Sequence, residues 1–199
     1  MTGCVFSNPI DGLIGMTAFD PQVIEKFKAI SKKIDYPKKT FLVNEGDVCK
    51  QIFLIEDGCL RSWFNDDGND ITFQFFFEGN FVSSFESFKN NRPCLYNIET
   101  LTSAVLYVAQ RADFMKVLEK EPEINERLNQ FLMQRLYHYQ KLFISRITHS
   151  PQRRYEELIK EQPQLMDRVP QHYIATYLGI TPVSLSRIKK KIRISMKPW

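Results

Sequence analysis

QHYIATYLGITPVSLSRIKKKI, residues 171–192, places its apolar and small side chains where two short helices crossing at a tight turn need them. Ile174, Ala175, Leu178, Ile180, Leu185 and Ile188 fall on the inward positions of such a pair, and Ala175 is small enough for the second helix to pass close. Gly179 can take the left-handed conformation the turn requires. Thr181 then caps a second helix that has Pro182 at its first position. Between its core positions that helix carries Ser184, Ser186, Arg187, Lys189, Lys190, Lys191 and Arg193, and no acidic residue occurs from Thr181 to Trp199. Hydroxyls and cations on one face suit phosphates and base edges, so the segment reads as a DNA-binding helix-turn-helix. A generic helical hairpin shares the spaced aliphatics but seldom adds the Thr-Pro start and the one-sided charge.

The rest of the chain supports that reading by contrast. Residues 1–150 carry 17 Lys and Arg against 19 Asp and Glu, whereas residues 151–199 carry 10 against 4, so the net charge of +4 is concentrated at the C-terminal end. A polyanion would meet that quarter of the chain and not the remainder. With 199 residues, 43% of them apolar and 13% aromatic, one large domain or two small ones can bury real cores. No apolar run is long enough to span a bilayer, and the start of the chain does not read as a secretory signal, so a cytoplasmic protein with no membrane partner is expected. Cys4, Cys49, Cys59 and Cys94 are dispersed, with no CxxC pair, and read as free thiols.

Three patterns follow one another along the chain. Residues 21–34 space Val23, Ile24, Phe27 and Ile30 as one helical face. From Lys38 to about Val108 short β-rich runs are divided by Gly, Asn and Asp, and Asp67-Gly68 sits between two of them as a hairpin turn. Such strands predict an antiparallel barrel or sandwich, with a jelly roll as the natural architecture. From Glu123 the period becomes helical, with Ile124, Leu128, Phe131, Leu132, Leu136, Tyr139, Leu142, Phe143 and Ile147 in one broad stripe. One edge of that stripe can cover the barrel while the other pairs with a second copy of the chain. Ser150-Pro151 ends the long helix and caps the next.

In this order, barrel, long helix and helix-turn-helix, the chain resembles the Crp/Fnr family of bacterial transcription regulators. The resemblance rests on FLVNEGD with Gly46 and Asp47, on IFLIEDGCLR with Gly58, on FEGNF with Gly79, and on ITPVSLSRIKKK. It implies an α+β fold: an N-terminal antiparallel jelly-roll β-barrel of cyclic-nucleotide-binding type at 1–120, a long dimerisation helix at 121–149, and a C-terminal (winged) helix-turn-helix at 150–199. It also implies a homodimer on a roughly palindromic double-stranded DNA operator, with a small-molecule effector in the barrel. Residues 161–170 are the stretch available for a short wing.

Cyclic-AMP-binding members carry a Gly-Glu pair and an Arg-Ser-Ala where this chain has Ser83-Ser84 and Cys94-Leu95-Tyr96. Neither charge is present, and losing a charge-assisted pair forfeits a few kcal/mol of phosphate binding. Arg92 and Glu86 lie two residues away from the matching positions, so only a shifted loop would restore them. The candidate ligand residues are therefore Ser62, Gln74, Ser83, Ser84, Phe85, Cys94, Leu95 and Tyr96, with Arg135, Tyr139 and Gln140 of the long helix as lids. The expectation is an effector other than cyclic AMP, or none. The alternatives are a cyclic-AMP-gated regulator with a shifted loop and a signalling adaptor without specific DNA binding. For DNA, the resemblance places Arg187 on a guanine edge. Thr181, Val183, Ser184 and Ser186 then lie at the groove-facing start of the helix, with Gln171, Tyr173, Lys190 and Lys191 on phosphates. No cofactor or metal is expected: His138, His149 and His172 all lie in the helical part, which leaves a metalloenzyme barrel without histidine ligands.

Overall fold

The computed structural model describes residues 21–195. A helix α1 (Pro21–Ala29) leads into eight strands interrupted by one short helix: β1 (Lys32–Tyr36), β2 (Phe41–Val43), β3 (Gln51–Asp57), β4 (Leu60–Asp66), β5 (Asn69–Phe76), β6 (Phe81–Val82), α2 (Phe85–Asn90), β7 (Asn97–Thr100) and β8 (Ala104–Gln110). Then come α3 (Arg111–Lys120), the long α4 (Pro122–Thr148), α5 (Pro151–Glu161), α6 (Leu165–Arg168), α7 (Gln171–Tyr177) and α8 (Pro182–Ser195).

The strands form two four-stranded antiparallel sheets, in the orders β1-β8-β3-β6 and β2-β7-β4-β5. Rather than closing into one continuous barrel, the sheets face each other as a jelly roll across a core that includes Phe53, Ile55, Leu60, Phe76, Ile98 and Leu106. The alternate residues of β3, Ile52 and Leu54, point the other way, to Phe27 of α1, Phe88 of α2 and Phe114 of α3. Burial on both faces is why QIFLI reads as one apolar run instead of an alternation.

The second sheet is covered as well. Cys59, Phe75 and Leu101 on its outer face share a core with Tyr155 and Leu158 of α5, Leu165, Val169, Ile174, Ala175 and Leu185. The molecule is thus layered: helices α1–α3, sheet, sheet, then the C-terminal helices.

Local signals behave as their chemistry requires. Asp67 and Gly68 both have positive φ, 47° and 87°, and close the β4–β5 hairpin by pairing Asp66 with Asn69. Ser150 accepts a hydrogen bond from the Arg153 amide at 3.3 Å. Gly58, at φ 114°, joins β3 to β4 where any Cβ would lie 2.6 Å from the Ala104 Cβ.

Two expectations need correction. The helix read over 21–34 stops at Ala29, and Ile34 lies on β1 opposite Leu106, because the Ser31 hydroxyl caps the Phe27 carbonyl and the chain turns into an edge strand. The 161–170 stretch holds no wing strand: Leu165 and Val169 are buried in the shared core, and one helical turn, α6, brings both there. Cys49, Cys59 and Cys94 are free and buried, and burial pushes the Cys59 thiol up to about 12, which keeps it protonated. Cys4 lies outside the described residues.

Candidate nucleic-acid interface and sensor pocket

α7 and α8 cross at the turn the spacing required. Gly179 has φ 67°, and the Thr181 hydroxyl accepts the Ser184 amide at 3.1 Å to start α8. Ile174, Ala175, Leu178 and Leu185 are buried between the helices. Two arginines from outside the motif fix the turn. Arg146, in the last turn of α4, donates to the Tyr177 carbonyl, and Arg154 of α5 donates to the Leu178 carbonyl at 2.9 Å. Both cations sit on carbonyls that α7 leaves unpaired at its end.

The outward face of α8 is open. Thr181, Val183, Ser186, Arg187, Lys190 and Lys191 are exposed, Val183 at 61%, and Gln171 is exposed at the start of α7. Ser184 is half-buried, its hydroxyl accepting from that of Thr181 at 3.0 Å. Tyr173 lies elsewhere. Its ring stacks on the Arg61 guanidinium at 3.8 Å and turns toward the sheet.

Arg61 is a residue the sequence reading missed. It is 1% exposed, and its guanidinium donates to Glu99 at 2.6 Å, to the Thr72 hydroxyl at 3.0 Å and to Asp70 at 3.0 Å. Trp63 covers it from another side, 4.6 Å from the ring centre. Beside it the Thr72 amide donates to the Thr176 hydroxyl at 3.2 Å, and Phe75 meets Tyr177 at 5.3 Å between ring centres. The hairpin β4–β5 therefore holds the first helix of the motif directly.

A second tie joins Arg168 of α6 to Glu78 in two parallel hydrogen bonds of 2.6 and 2.7 Å, while the Gly58 amide donates to the same carboxylate at 2.9 Å. The Arg168 guanidinium is the main reason the Glu78 carboxyl is pulled down to about 2. A carboxyl with a depressed folded pKa stabilises above its unfolded value, near 4.5, and that stabilisation is lost as pH falls from there toward 2. Glu78→Gln is expected to lower the melting temperature at pH 7 by an amount worth about 1 kcal/mol, given the partly exposed pair. The gap to the parent should close as melting is followed down toward pH 2; a gap independent of pH would show that the charge of the Glu78 carboxylate contributes nothing to it.

Two of the candidate ligand residues, Ser62 and Gln74, face each other on the inner side of the same hairpin. Ser62, Gln74, Ser83 and Ser84 are buried, Tyr96 is half-buried, and Phe85 packs beside Phe131 of α4. Several of them already have partners. Tyr139 of α4 donates its hydroxyl to Gln74, Ser83 donates to the Gln51 carbonyl at 3.0 Å, and Tyr96 hydrogen-bonds Ser84. Burial pushes the Tyr96 phenol up to about 12. Arg135 lies over the rings of Phe76 and Phe131. Cys94 is buried, Leu95 is 75% exposed, and Arg92, Glu86 and Gln140 are exposed.

Residues 33–121 match the protein family described as the cyclic nucleotide-binding domain. Among solved structures, a putative transcriptional regulator of the Crp/Fnr family from Eubacterium rectale is 14% identical, with 89% of this chain and 85% of that chain covered and a TM-score of 0.68. The chain has the Crp/Fnr regulator fold. The c-di-GMP-responsive global regulator CLP of Xanthomonas campestris is 19% identical over 88% of this chain and 93% of that one, with a TM-score of 0.71. The catabolite activator protein of Thermus thermophilus is 16% identical, over 94% and 91%, with a TM-score of 0.56. Among curated proteins none matches by sequence. Among the described residues no helix is long and apolar enough to cross a membrane, and no three His, Cys, Asp or Glu side chains converge as a metal site.

Proposed function

We propose that the chain is a sequence-specific, DNA-binding transcription regulator of Crp/Fnr type that works in the cytoplasm as a homodimer and carries no catalytic activity. The observation that carries this reading is α8, a capped helix with hydroxyls and cations exposed on one face and its apolar face buried against α7. Such a helix enters the major groove with its first turns, so Val183, Ser186 and Arg187 meet base edges while Lys190 and Lys191 meet phosphates. Arg187 forked onto a guanine is worth about 1–3 kcal/mol of discrimination. With an operator selected from random duplexes, Arg187→Ala should weaken specific binding by about 10- to 100-fold while leaving non-specific affinity nearly unchanged. Equal losses on all sequences would make Arg187 a phosphate contact instead.

The barrel supports an effector other than cyclic AMP, or none. Gln74 is matched to Tyr139, Ser83 to the Gln51 carbonyl and Ser84 to Tyr96, and no guanidinium stands at residues 94–96 to fork a cyclic phosphate. Isothermal titration of the nucleotide-free protein with cyclic AMP should register no heat; micromolar binding would restore the cyclic-AMP-gated reading.

A further inference from the structure

The turn between β1 and β2 approaches the start of α7 and leaves a cleft of about 250 Å³, lined by Lys38, Lys39, Leu101, Pro170, His172 and Tyr173. Three of these six carry or can carry positive charge and none is acidic. Lys38 and Lys39 are exposed, and neither is ion-paired among the described residues. The floor is apolar, and one wall, Tyr173, is backed by the buried Arg61 guanidinium.

The turn is also held in an unfavourable backbone state. Lys39 has φ 63°, a left-handed conformation that costs a residue with a side chain about 1 kcal/mol or more. It is locked there by Thr100, which is fully buried. The Thr100 carbonyl accepts the Lys39 amide at 2.8 Å, its hydroxyl donates to the Pro37 carbonyl at 2.7 Å, and the same hydroxyl accepts the Thr40 amide at 2.8 Å. A buried hub thus sustains the strain that fixes two adjacent lysines at one mouth. His172 faces Arg61 and Lys39 as cations and Asp70 as the opposing carboxylate. Burial first, and then Arg61, keep its imidazole below the usual range.

We propose that this cleft is a phosphate-binding site shared by the β domain and the helix-turn-helix, with Lys38, Lys39 and His172 as its donors. Lysine ammonium groups bind phosphate as point charges, and the volume admits a phosphate or a small phosphomonoester. The phosphate can come from a free small molecule or from the DNA backbone, since α7 is the helix that crosses the backbone in such motifs. Only the second source rests on the DNA-binding reading. Either source ties the reading head to its sensor, because the donors come from both.

The test follows the His172 ring resonances by NMR, assigned with a His172→Gln variant, in the full chain and in the K38Q/K39Q double variant. Inorganic phosphate in the millimolar range should raise the imidazole pKa of the parent and not of the double variant. Operator duplexes trimmed at the half-sites or extended by about one helical turn then separate the sources. If backbone phosphate is the ligand, only the extended duplex raises the His172 pKa, and the double variant lowers the salt slope of its binding by about one to two. If a free phosphomonoester is the ligand, phosphate raises the His172 pKa while the salt slope of duplex binding is the same for the parent and the double variant. The proposal is overturned if neither phosphate nor extended duplex moves His172, or if the shift survives in the double variant. A parent that binds no duplex defeats the DNA-binding reading and leaves the phosphate arm to decide this site.

Discussion

Replacing Arg61 with methionine is expected to destabilise the fold by about 3–5 kcal/mol, because it strips the partner from a buried carboxylate. Glu99 is 5% exposed, and its hydrogen bond to Arg61 is 2.6 Å long. Without the guanidinium, Glu99 must either remain charged in a desolvated site or take up a proton, and both outcomes are unfavourable relative to the parent. The hydroxyl of Thr72 and the face of Tyr173 lose their cation at the same time. At this chain length the loss corresponds to about 6–20 °C in melting temperature. Arg61→Lys should fall between, since one ammonium replaces one of three directed contacts. Arg61→Met combined with Glu99→Gln should recover part of the loss by removing the orphaned charge. Urea unfolding measures all three, and an Arg61→Met variant within 1 kcal/mol of the parent would show that the network adds nothing to stability.

Arg61 also marks where the sequence stopped being legible. Short-range signals carried through: the Gly179 turn, the Thr181 and Ser150 caps, the Asp67-Gly68 hairpin, and the long helix to within a residue or so at each end. Each depends on residues within a few positions of one another. The outer face of β4–β5 depends on partners about 100 positions away, such as Thr72 with Thr176 and Glu78 with Arg168. One signal was present. In FQFFF, residues 73–77, apolar side chains fall on both faces of the strand, which a strand solvated on one side does not do. That pattern called for a covering layer, and α7 supplies it.

For the candidate ligand residues the sequence offered polar groups, and their partners were not legible. Ser62 and Gln74 pair across β4–β5. The hydroxyl that meets Gln74 belongs to Tyr139, 65 positions further along, and only the crossing of α4 over the sheet brings it there. Exposed basic residues on α8 were legible because a helix one turn long already defines a face. The partner of Tyr173 was not legible in the same way: its place at the start of α7 is local, while the cation its ring stacks on comes from a distant strand.

Placing glutamate at both Phe143 and Ile147 is expected to produce monomers and to weaken binding to a palindromic operator by about 10²- to 10⁴-fold. Only part of α4 is covered by the rest of the chain. Ile124 is buried, and Leu128, Phe131 and Leu142 are half-buried against the β domain side. Met133, Leu136, Tyr137, Phe143, Ile144 and Ile147 are exposed, Phe143 at 67% and Ile147 at 69%. Met133, the pair Leu136 and Tyr137, the pair Phe143 and Ile144 a heptad further on, and Ile147 follow a coiled-coil seam over two heptads with Gln140 between the pairs, and six large exposed apolar side chains on this stretch exceed what a monomer ordinarily leaves in water. A second α4 laid along this seam would bury them and relate two copies of α8 by a two-fold axis, at the separation of successive major grooves, about 34 Å. On the proposed function each head alone would make a half-site contact, and the paired arrangement would turn the second contact into an intramolecular step. Four glutamates facing one another across the dimer seam would oppose pairing without disturbing the folded chain, since both positions are solvent-facing within it. Light scattering should report the chain mass for the variant and twice that for the parent, and the two proteins should bind an isolated half-site equally. A variant that stays dimeric, or loses half-site binding as well, would place the pairing surface elsewhere.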